Sequence, residues 1–313
     1  MAFDNLRLFR DIAQTRSLTR AAELNSITPS AASQHINELE KALGARLLDR
    51  STRPLSLTPE GRLYSEFCRD VLRRHVEFEV ALDQLRSSVE GTVRVAAIYS
   101  VGLSEMSQVE TELVRRQPHV SLEVDYLRPE KVYEYVTGDR VDLGIVSYPE
   151  PTRDIAVIPW RDEEMVLAAA PAHPLTRKQT VKPEDLEGAD FISFDEDLPI
   201  SREINRYFRA HDVTVNVVMH FDNLQMIKEA LILQSGVSIV PRRLLRAEIE
   251  SGRLAVVELA PPGLVRPVGI IHRKKKLFTR AAQVFLNILT LPPNALDEIT
   301  DADLGGPVVQ QVS

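Results

Sequence analysis

The sequence contains little of what several protein classes depend on. It has one cysteine, Cys68, in 313 residues, which excludes an intramolecular disulfide framework and fits a reducing compartment. A basic segment followed by an apolar run, typical of a secretory signal, is not found. No uninterrupted apolar stretch approaches the ~18 residues of a membrane span. We therefore expect a cytoplasmic protein without a membrane partner.

Motifs of catalysis and of metal binding are also missing. There is no GxSxG, HExxH or Walker loop, and the seven histidines are scattered without metal-ligand spacing. The acidic run at residues 195–197 lacks partners in the sequence, which favours a solvated loop. We expect neither an enzymatic activity nor a cofactor or metal.

An overall positive charge, which non-specific nucleic-acid binders use, is absent. The chain has 38 basic and 45 acidic residues, a net charge of −7. Residues 1–90 carry 13 residues of each sign, so the acidic excess falls entirely in the remaining residues. Any DNA binding must therefore depend on where basic residues are placed and not on total charge.

The length and composition indicate more than one domain. A hydrophobic content of 44% and a charged content of 27% are ordinary for a protein with a core, and 313 residues suggest two or three domains. The patterns described below divide the chain into residues 1–61, 62–90, 91–293 and 294–313. The last region is acidic and interrupted by glycine and proline, and we expect it to be flexible.

Two short helices joined by a turn are predicted between residues 17 and 44. Ser17 is a suitable N-cap for the first helix. Thr28 caps the second, with Pro29 at the first helical position, and Gly44 suits the left-handed conformation that ends a helix. Apolar residues of the second helix recur at helical spacing and predict one buried stripe, formed by Ala32, Ile36, Leu39 and Leu43.

The opposite face of the second helix is polar. Its serine and amide side chains suit hydrogen bonds to base edges in the major groove, and Gln34 can contact adenine through two hydrogen bonds. For the helix alone, an ordinary solvated face is the alternative. Two short strands follow, around a turn whose arginines suit phosphates or the minor groove. The predicted DNA-binding residues are Thr28, Pro29, Ser30, Ser33, Gln34, Asn37, Arg50 and Arg53.

A heptad pattern follows in residues 64–89. Eight residues recur at alternating spacings of four and three, namely Tyr64, Cys68, Val71, His75, Phe78, Leu82, Leu85 and Val89. This pattern predicts a helix that pairs with a second copy along one seam. A single amphipathic helix packed on its own domain is the alternative. The residues expected to hold the dimer together are Val71, Phe78, Leu82 and Leu85.

From residue 91 onward, strands and helices alternate, which predicts a parallel, doubly wound sheet. The predicted strands are residues 92–97, 121–127, 141–147, 191–194, 215–221, 237–241, 255–259 and 268–272. Residues 155–170 are predicted to form two strands or one bent pair. The predicted helices are residues 103–116, 130–137, 201–210, 223–233, 242–251 and 279–291. Two comparable sets of elements suggest two lobes.

The motif near the N-terminus resembles the LysR-type transcriptional regulators over more than forty consecutive positions. The residues that carry the resemblance are Phe9, Ala13, Ser17, Ala21, Ala22, Leu24, Thr28, Ser30, Ala31, Ser33, Ile36, Leu39, Glu40, Leu43, Gly44, Leu47, Leu48, Arg50, Arg53, Leu57, Thr58, Pro59 and Gly61. One departure is Arg16, where the family usually has glycine. The departure affects only the local turn.

The resemblance implies a three-part architecture. The parts are a mainly α N-terminal winged helix-turn-helix, a long linker helix that dimerises the chain, and a C-terminal α/β effector domain with two lobes, like a periplasmic binding protein. Lobe I would comprise residues 91–161 and 266–293, and lobe II residues 162–265, with crossovers near Trp160–Arg161 and Leu264–Val265. A small molecule would bind between the lobes. A homotetramer would bind a double-stranded DNA operator, with RNA polymerase as a further candidate partner.

Ligands of such sheets bind at the carboxyl ends of strands, beside helix N-termini. This rule selects hydroxyl, amide and guanidinium groups that together suit a small anion, such as a carboxylate or an inorganic oxyanion. Taken singly, each hydroxyl is better explained as an ordinary helix cap. The candidate effector-binding residues are Ser100, Val101, Gly102, Arg128, Ser147, Ser193, Ser201, Arg202, Asn223 and Gly236.

Three functions are compatible with these patterns. The one that accounts for both halves of the chain is a transcriptional regulator whose DNA binding is switched by an effector. A winged-helix protein whose α/β half is an enzyme is the second, although no nucleophile–base pair or phosphate loop supports it. An effector-independent DNA-binding protein is the third, and it would leave the large α/β half unexplained.

Overall fold

The computed structural model describes residues 3–52, 54–84, 88–101 and 103–290. The chain forms two compact units, one mainly of residues up to Val89 and the other mainly of residues from Glu90 onward. We refer to them as the N-terminal and C-terminal units. Three of the predicted site residues, Arg53, Leu85 and Gly102, lie outside the described residues, as does the predicted flexible region 294–313.

The N-terminal unit contains helices and one small hairpin. Its elements are α1 (Phe3–Thr15), α2 (Leu18–Leu24), α3 (Pro29–Leu43), β1 (Leu48–Asp49), β2 (Ser56–Leu57) and α4 (Pro59–Gln84). The predicted caps are confirmed, because Ser17 Oγ accepts from the Arg20 amide and Thr28 Oγ1 accepts from the Ala31 amide. Gly44 ends α3 with φ +65°.

Helices α1, α2, α3 and the first half of α4 enclose the core of this unit. Its buried residues include Leu6, Phe9, Ile12, Ala21, Ala22, Ala32, Ile36, Leu39, Tyr64 and Cys68. The Phe9 and Tyr64 rings meet edge to face with centroids 4.9 Å apart. The predicted stripe on α3 is confirmed for its first three residues. Leu43 is 44% exposed, because it lies in the last turn, beyond the helices that cover the stripe.

The heptad pattern on α4 has two different environments. Tyr64 and Cys68 are buried in the core of their own unit, and Val71 packs against that core. These positions follow the alternative of a helix packed on its own domain. Phe78 and Leu82 lie farther along α4 and are 62% and 42% exposed. The described part of α4 ends at Gln84, and residues 85–87 of the predicted linker lie outside the described residues.

The C-terminal unit is built on a mixed β-sheet covered by helices. Its strands are β3 (Gly91–Ile98), β4 (Val120–Leu127), β5 (Leu143–Ser147), β6 (Ile155–Ala169), β7 (Thr180–Val181), β8 (Asp190–Phe194), β9 (Asn216–Phe221), β10 (Val237–Pro241), β11 (Ala255–Leu259) and β12 (Leu264–Arg273). Its helices are α5 (Leu103–Arg116), α6 (Pro129–Thr137), α7 (Pro199–Ala210), α8 (Leu224–Ile232), α9 (Arg246–Glu250) and α10 (Arg280–Thr290). Most of the predicted elements are thus confirmed to within a few residues.

The strand order agrees with the predicted parallel sheet in two parts and departs from it at the strands that lie between them. The order is β4-β3-β5-β12-β6-β10-β8-β9, with β11 paired to β6 and β7 paired to β11. Strands β3, β4 and β5 are parallel, as are β8, β9 and β10. The two strands between these sets run antiparallel to their neighbours. The sheet is mixed because the chain passes from one set to the other and back along single strands.

Strands β6 and β12 connect the two lobes. Strand β6 is one continuous strand of 15 residues, so neither predicted alternative for this segment, two strands or one bent pair, is right. Its first part pairs with β12, and its residues 165–169 pair with β10. Strand β12 begins at Leu264, four residues before the predicted start. Two long crossover strands therefore hold the lobes together.

Among the described residues, no helix combines the length and the apolar character needed to cross a bilayer.

Candidate functional site

Helix α3 presents its polar face to solvent. Thr28, Pro29, Ser30, Gln34 and Asn37 are exposed, and Ser33 is half-buried. These residues lie on the side of α3 opposite to the buried Ala32, Ile36 and Leu39. The predicted recognition face therefore stays accessible within its own unit, as a helix that enters the major groove requires.

A short wing, residues 48–57, adjoins α3. In its hairpin, Leu48 pairs with Leu57 and Asp49 with Ser56. Thr58 supports its base by donating from Oγ1 to the Arg46 carbonyl, 2.6 Å away, while the same oxygen caps α4. Gly61 passes so close to the Leu47 carbonyl that a Cβ would collide with it. The residues just before the wing are therefore in close contact with the start of α4.

In the C-terminal unit, four of the predicted effector residues line one small cavity between the lobes. Ser100, Arg128, Ser147 and Asn223 surround a volume of about 40 Å³, which we call the inner cavity. These residues lie at the carboxyl ends of the parallel strands β3, β4, β5 and β9: Ser147 is the last residue of β5, and the other three follow their strands. Apolar walls come from Phe194, Leu198, Ile200 and Leu224.

A larger opening lies beside the inner cavity. The outer groove has a volume of about 960 Å³ and shares Tyr99, Ser100, Asp222, Asn223 and Leu224 with the inner cavity. Its other lining residues include charged side chains of α8 and of the segment that follows β10, namely Lys228, Arg243, Arg246 and Glu250. The cleft between the lobes thus combines a narrow polar part with a wide, mixed-charge part.

Five other predicted residues do not line the inner cavity. Val101 is buried and lines only the outer groove. Ser193 donates to the Phe194 carbonyl at 3.0 Å, and Ser201 is buried without a hydrogen-bond partner among the described residues. Arg202 is exposed on α7. The glycine at position 236 is explained by packing and not by effector binding, because a Cβ there would collide with the Asp190 carbonyl.

The sequence interpretation missed Arg266, which also lines the inner cavity. Arg266 lies on β12 directly opposite Glu163 of β6. Its Nε donates to Glu163 Oε2 at 2.9 Å, its Nη2 donates to the same oxygen, and its Nη1 donates to Ser100 Oγ at 2.9 Å. Both side chains are almost completely buried. The sequence signal that could have identified Arg266 is a charged residue within the otherwise mostly apolar segment of β12.

Glu163 holds a second guanidinium group. Arg161 Nε donates to Glu163 Oε1 at 2.8 Å and stacks on the Trp160 ring, 3.9 Å from its centroid. Trp160 in turn donates from Nε1 to the Leu289 carbonyl of α10. The single negative charge of Glu163 is thus shared by two arginines at the crossover between the lobes.

Arg128 lies in a cluster of carboxylates from the opposite lobe. Its Nη2 donates to both oxygens of Asp197, at 2.9 and 2.7 Å, and its Nη1 lies 3.7 Å from Asp195 and 3.6 Å from Asp222. We call these four residues the Arg128 cluster. Residues 195–197 form a largely exposed loop, as predicted, but the loop has a partner that comes from a strand end far away in the sequence.

Burial sets the protonation of two further groups. It raises the pKa of Cys68 to about 11 and that of Tyr148, which follows Ser147, to about 12. Both groups therefore remain neutral near pH 7. A protonated, fully buried thiol is unreactive, so Cys68 acts as a small apolar residue of the core.

Comparisons with known proteins cover both units. The family model "Bacterial regulatory helix-turn-helix protein, lysR family" matches residues 3–62, and the model "LysR substrate binding domain" matches residues 86–291. The chain belongs to the LysR family. It is a LysR-type transcriptional regulator with an effector-binding domain, and the resemblance carried by the helix-turn-helix residues is confirmed.

Individual relatives agree over nearly the full chain. A probable RuBisCO transcriptional regulator of Thalassiosira pseudonana is 26% identical, over 92% of this chain and 97% of its own. Among solved structures, full-length OxyR from Pseudomonas aeruginosa, a cysteine-to-aspartate variant, has a TM-score of 0.68 at 21% identity and covers 94% of this chain and 96% of its own. DarR of Vibrio fischeri, solved with DNA, has a TM-score of 0.55 at 18% identity and covers 93% and 99%. These likenesses confirm the predicted fold of a winged helix-turn-helix with a two-lobed effector domain.

We predict that Glu163→Gln destabilises the C-terminal unit of this regulator by about 3–5 kcal/mol, since it leaves two arginines without their shared buried carboxylate. Thermal unfolding followed by calorimetry measures the loss. The neighbouring Glu164→Gln is the matched control, because Glu164 is exposed and pairs with Arg242 at the surface. It should change stability by less than ~1 kcal/mol. Equal effects of both substitutions would contradict a special role of Glu163.

Proposed function

We propose that this LysR-type regulator binds a two-fold DNA operator through α3 and the wing, and that a small anion in the inner cavity switches its activity. The observation that carries the effector proposal is the buried guanidinium group of Arg266 at the point where the strand ends converge. DNA binding by the DarR relative and the accessible face of α3 support the first part.

An anionic effector follows from the charge around Arg266. Glu163 neutralises Arg266 only in part, because the same carboxylate also binds Arg161. A buried cation that is incompletely paired favours a second counter-charge. Ser100, Ser147 and Asn223 add hydrogen-bonding groups beside it. A carboxylate or an inorganic oxyanion suits this combination, as the sequence already suggested.

Arg128 has a different role in this proposal. Its guanidinium is committed to Asp195, Asp197 and Asp222, so it does not attract a further anion. The inner cavity of about 40 Å³ admits little more than one water or one small anionic group. A larger effector would place its anionic end near Arg266 and its remainder in the outer groove.

Switching is a population shift between lobe orientations. An effector that touches Ser100 in one lobe and Asn223 in the other favours the orientation in which both contacts form. The Arg128 cluster also joins the two lobes, so its ion pairs favour the orientation seen here. The effector acts by its differential affinity for the two orientations.

Self-association would transmit this change to DNA. Phe78 and Leu82 form an exposed apolar stretch on α4 that suits pairing with a second copy. In the C-terminal unit, strand β9 is an edge strand with exposed Val217, Val218 and Met219, which suits a further subunit contact and a tetramer. RNA polymerase is a candidate partner of the DNA-bound form.

Neither an enzyme activity nor a cofactor is part of this proposal. The relatives are named transcriptional regulators, and the lining of the cleft is explained by binding alone. We place the regulator in the cytoplasm, where its operator lies.

We predict that Gln34→Ala weakens binding to the preferred operator by about 1–3 kcal/mol and relaxes the preference at one base pair. Gln34 is exposed on the recognition face, so the fold should be unaffected. Fluorescence anisotropy with operator and random duplexes measures both effects. Unchanged affinity for both duplexes would show that Gln34 does not face DNA.

We predict that Arg266→Met and Ser100→Ala each weaken anion binding at least tenfold, since both remove a donor from the inner cavity. Calorimetric titration with a panel of carboxylates and oxyanions measures this loss. Arg209→Met, on the exposed side of α7, is the control and should bind as the wild type does. Binding that survives in Arg266→Met would refute the proposed anchor.

We predict that Phe78→Asp dissociates the dimer, because it places a charge in the exposed apolar stretch of α4. Sedimentation velocity measures the subunit mass. Glu79→Ala, one residue along and exposed, is the control and should leave the dimer intact. A dimer that persists in Phe78→Asp would exclude this part of α4 from the interface.

A further inference from the structure

A hydrogen-bonded chain of side chains links the wing to the recognition face of α3. We infer that Arg50 of the wing is a specificity-determining residue that acts through Asn37, by fixing the orientation of the Asn37 amide group. The inference rests on the proposed DNA binding by α3. It assigns Arg50 an effect on base preference, in addition to the phosphate contact that its charge and position suggest.

The first step is the contact between Arg50 and Asn37. Arg50 Nη2 lies 2.6 Å from Asn37 Oδ1, and both side chains are exposed on the same side of the N-terminal unit. A guanidinium group can only donate hydrogen bonds. The Asn37 carbonyl must therefore face Arg50, and the Asn37 amino group must point away from it.

The second step is the support of Arg50 itself. Glu40, on α3, accepts with Oε1 from the amides of Leu47 and Leu48, at 2.6 and 3.0 Å. Its Oε2 lies 3.5 Å from Arg50 Nη2. The Glu40 side chain is only 14% exposed, so its position is well determined by packing. Glu40 thus sets the base of the wing and holds Arg50 beside Asn37.

The third step is what Asn37 then offers to DNA. With its carbonyl turned to Arg50, Asn37 presents an amino group, which donates to acceptors such as guanine N7 and O6 or thymine O4. The two-bond contact to adenine, which needs the carbonyl and the amino group together, is disfavoured. Asn37 therefore selects a base edge with an acceptor and rejects one with an amino group at the same point.

Gln34 provides a contrast one turn earlier on α3. Its Nε2 donates to Glu38 Oε1 at 3.0 Å, and a carboxylate can only accept. The Gln34 carbonyl consequently faces outward and can accept from an adenine or cytosine amino group. Two neighbouring amides on one helix thus present opposite hydrogen-bonding chemistry, each set by a charged neighbour.

The test is selection of preferred sequences from a random duplex library by the full-length protein. The wild type, Asn37→Ala, Arg50→Met and the double variant are compared. Arg46→Met is the matched control, because Arg46 is an exposed arginine just before the wing whose backbone carbonyl accepts from Thr58. Circular dichroism checks that each variant is folded.

We expect one base pair per half-site at which the wild type favours a base with a major-groove acceptor. Asn37→Ala and Arg50→Met should each reduce that preference roughly fivefold to tenfold, and the double variant should reduce it no further. Arg46→Met should lower affinity for all sequences and leave every base preference unchanged. Replacing a selected guanine by 7-deazaguanine should weaken the wild type and not Asn37→Ala.

Two results would overturn the inference. In the first, Arg50→Met weakens all sequences uniformly and keeps the Asn37 preference, which is the behaviour of a phosphate contact alone. In the second, the base pair that responds to Asn37→Ala favours an amino group over an acceptor. A wild type that selects no sequence would instead refute the proposed function, so the two failures are distinguishable.

Discussion

The buried pair of Arg266 and Glu163 is the interaction on which the effector domain depends. The two residues lie opposite each other on β12 and β6, the only described strands that run between the lobes. Burial of a charged pair is costly unless its hydrogen bonds are satisfied, and here Ser100 and Arg161 contribute further bonds. The crossover thus combines a mechanical connection between the lobes with a guanidinium group aimed into the cleft. Structural support and the proposed ligand recognition use the same residues.

In the N-terminal unit, too, residues of one element serve more than one purpose. Helix α3 buries Ala32, Ile36 and Leu39 in the core and turns its amides to solvent. Glu40, on the same helix, positions the wing by accepting from two backbone amides. The recognition face and the wing are therefore one hydrogen-bonded assembly. This explains how a unit without excess positive charge can bind DNA by placement of a few groups.

Much of the fold was predictable because it depends on local chemistry. The caps at Ser17 and Thr28, the left-handed Gly44 and the helical spacing on α3 are confirmed. Ser100, Arg128, Ser147 and Asn223 were found by the rule that strand ends gather ligands, and they do line one cavity. The heptad on α4 was misleading in its first half, because the same spacing serves a core in its own unit as well as a dimer.

By itself, the sequence determined the elements, their order and the family, since caps, periodicity and motif spacing act within a few residues of one another. Tertiary structure alone decided which of the two arginines that line the inner cavity is already paired with several carboxylates. Arg128 follows a strand and looked suitable, yet three aspartates from distant loops neutralise it. Arg266 looked like one residue of an apolar strand, yet it reaches the cleft. The physical reason is that the nearest carboxylates decide whether an arginine is already neutralised. Those carboxylates are distant in the sequence and reach the arginine only when the sheet forms.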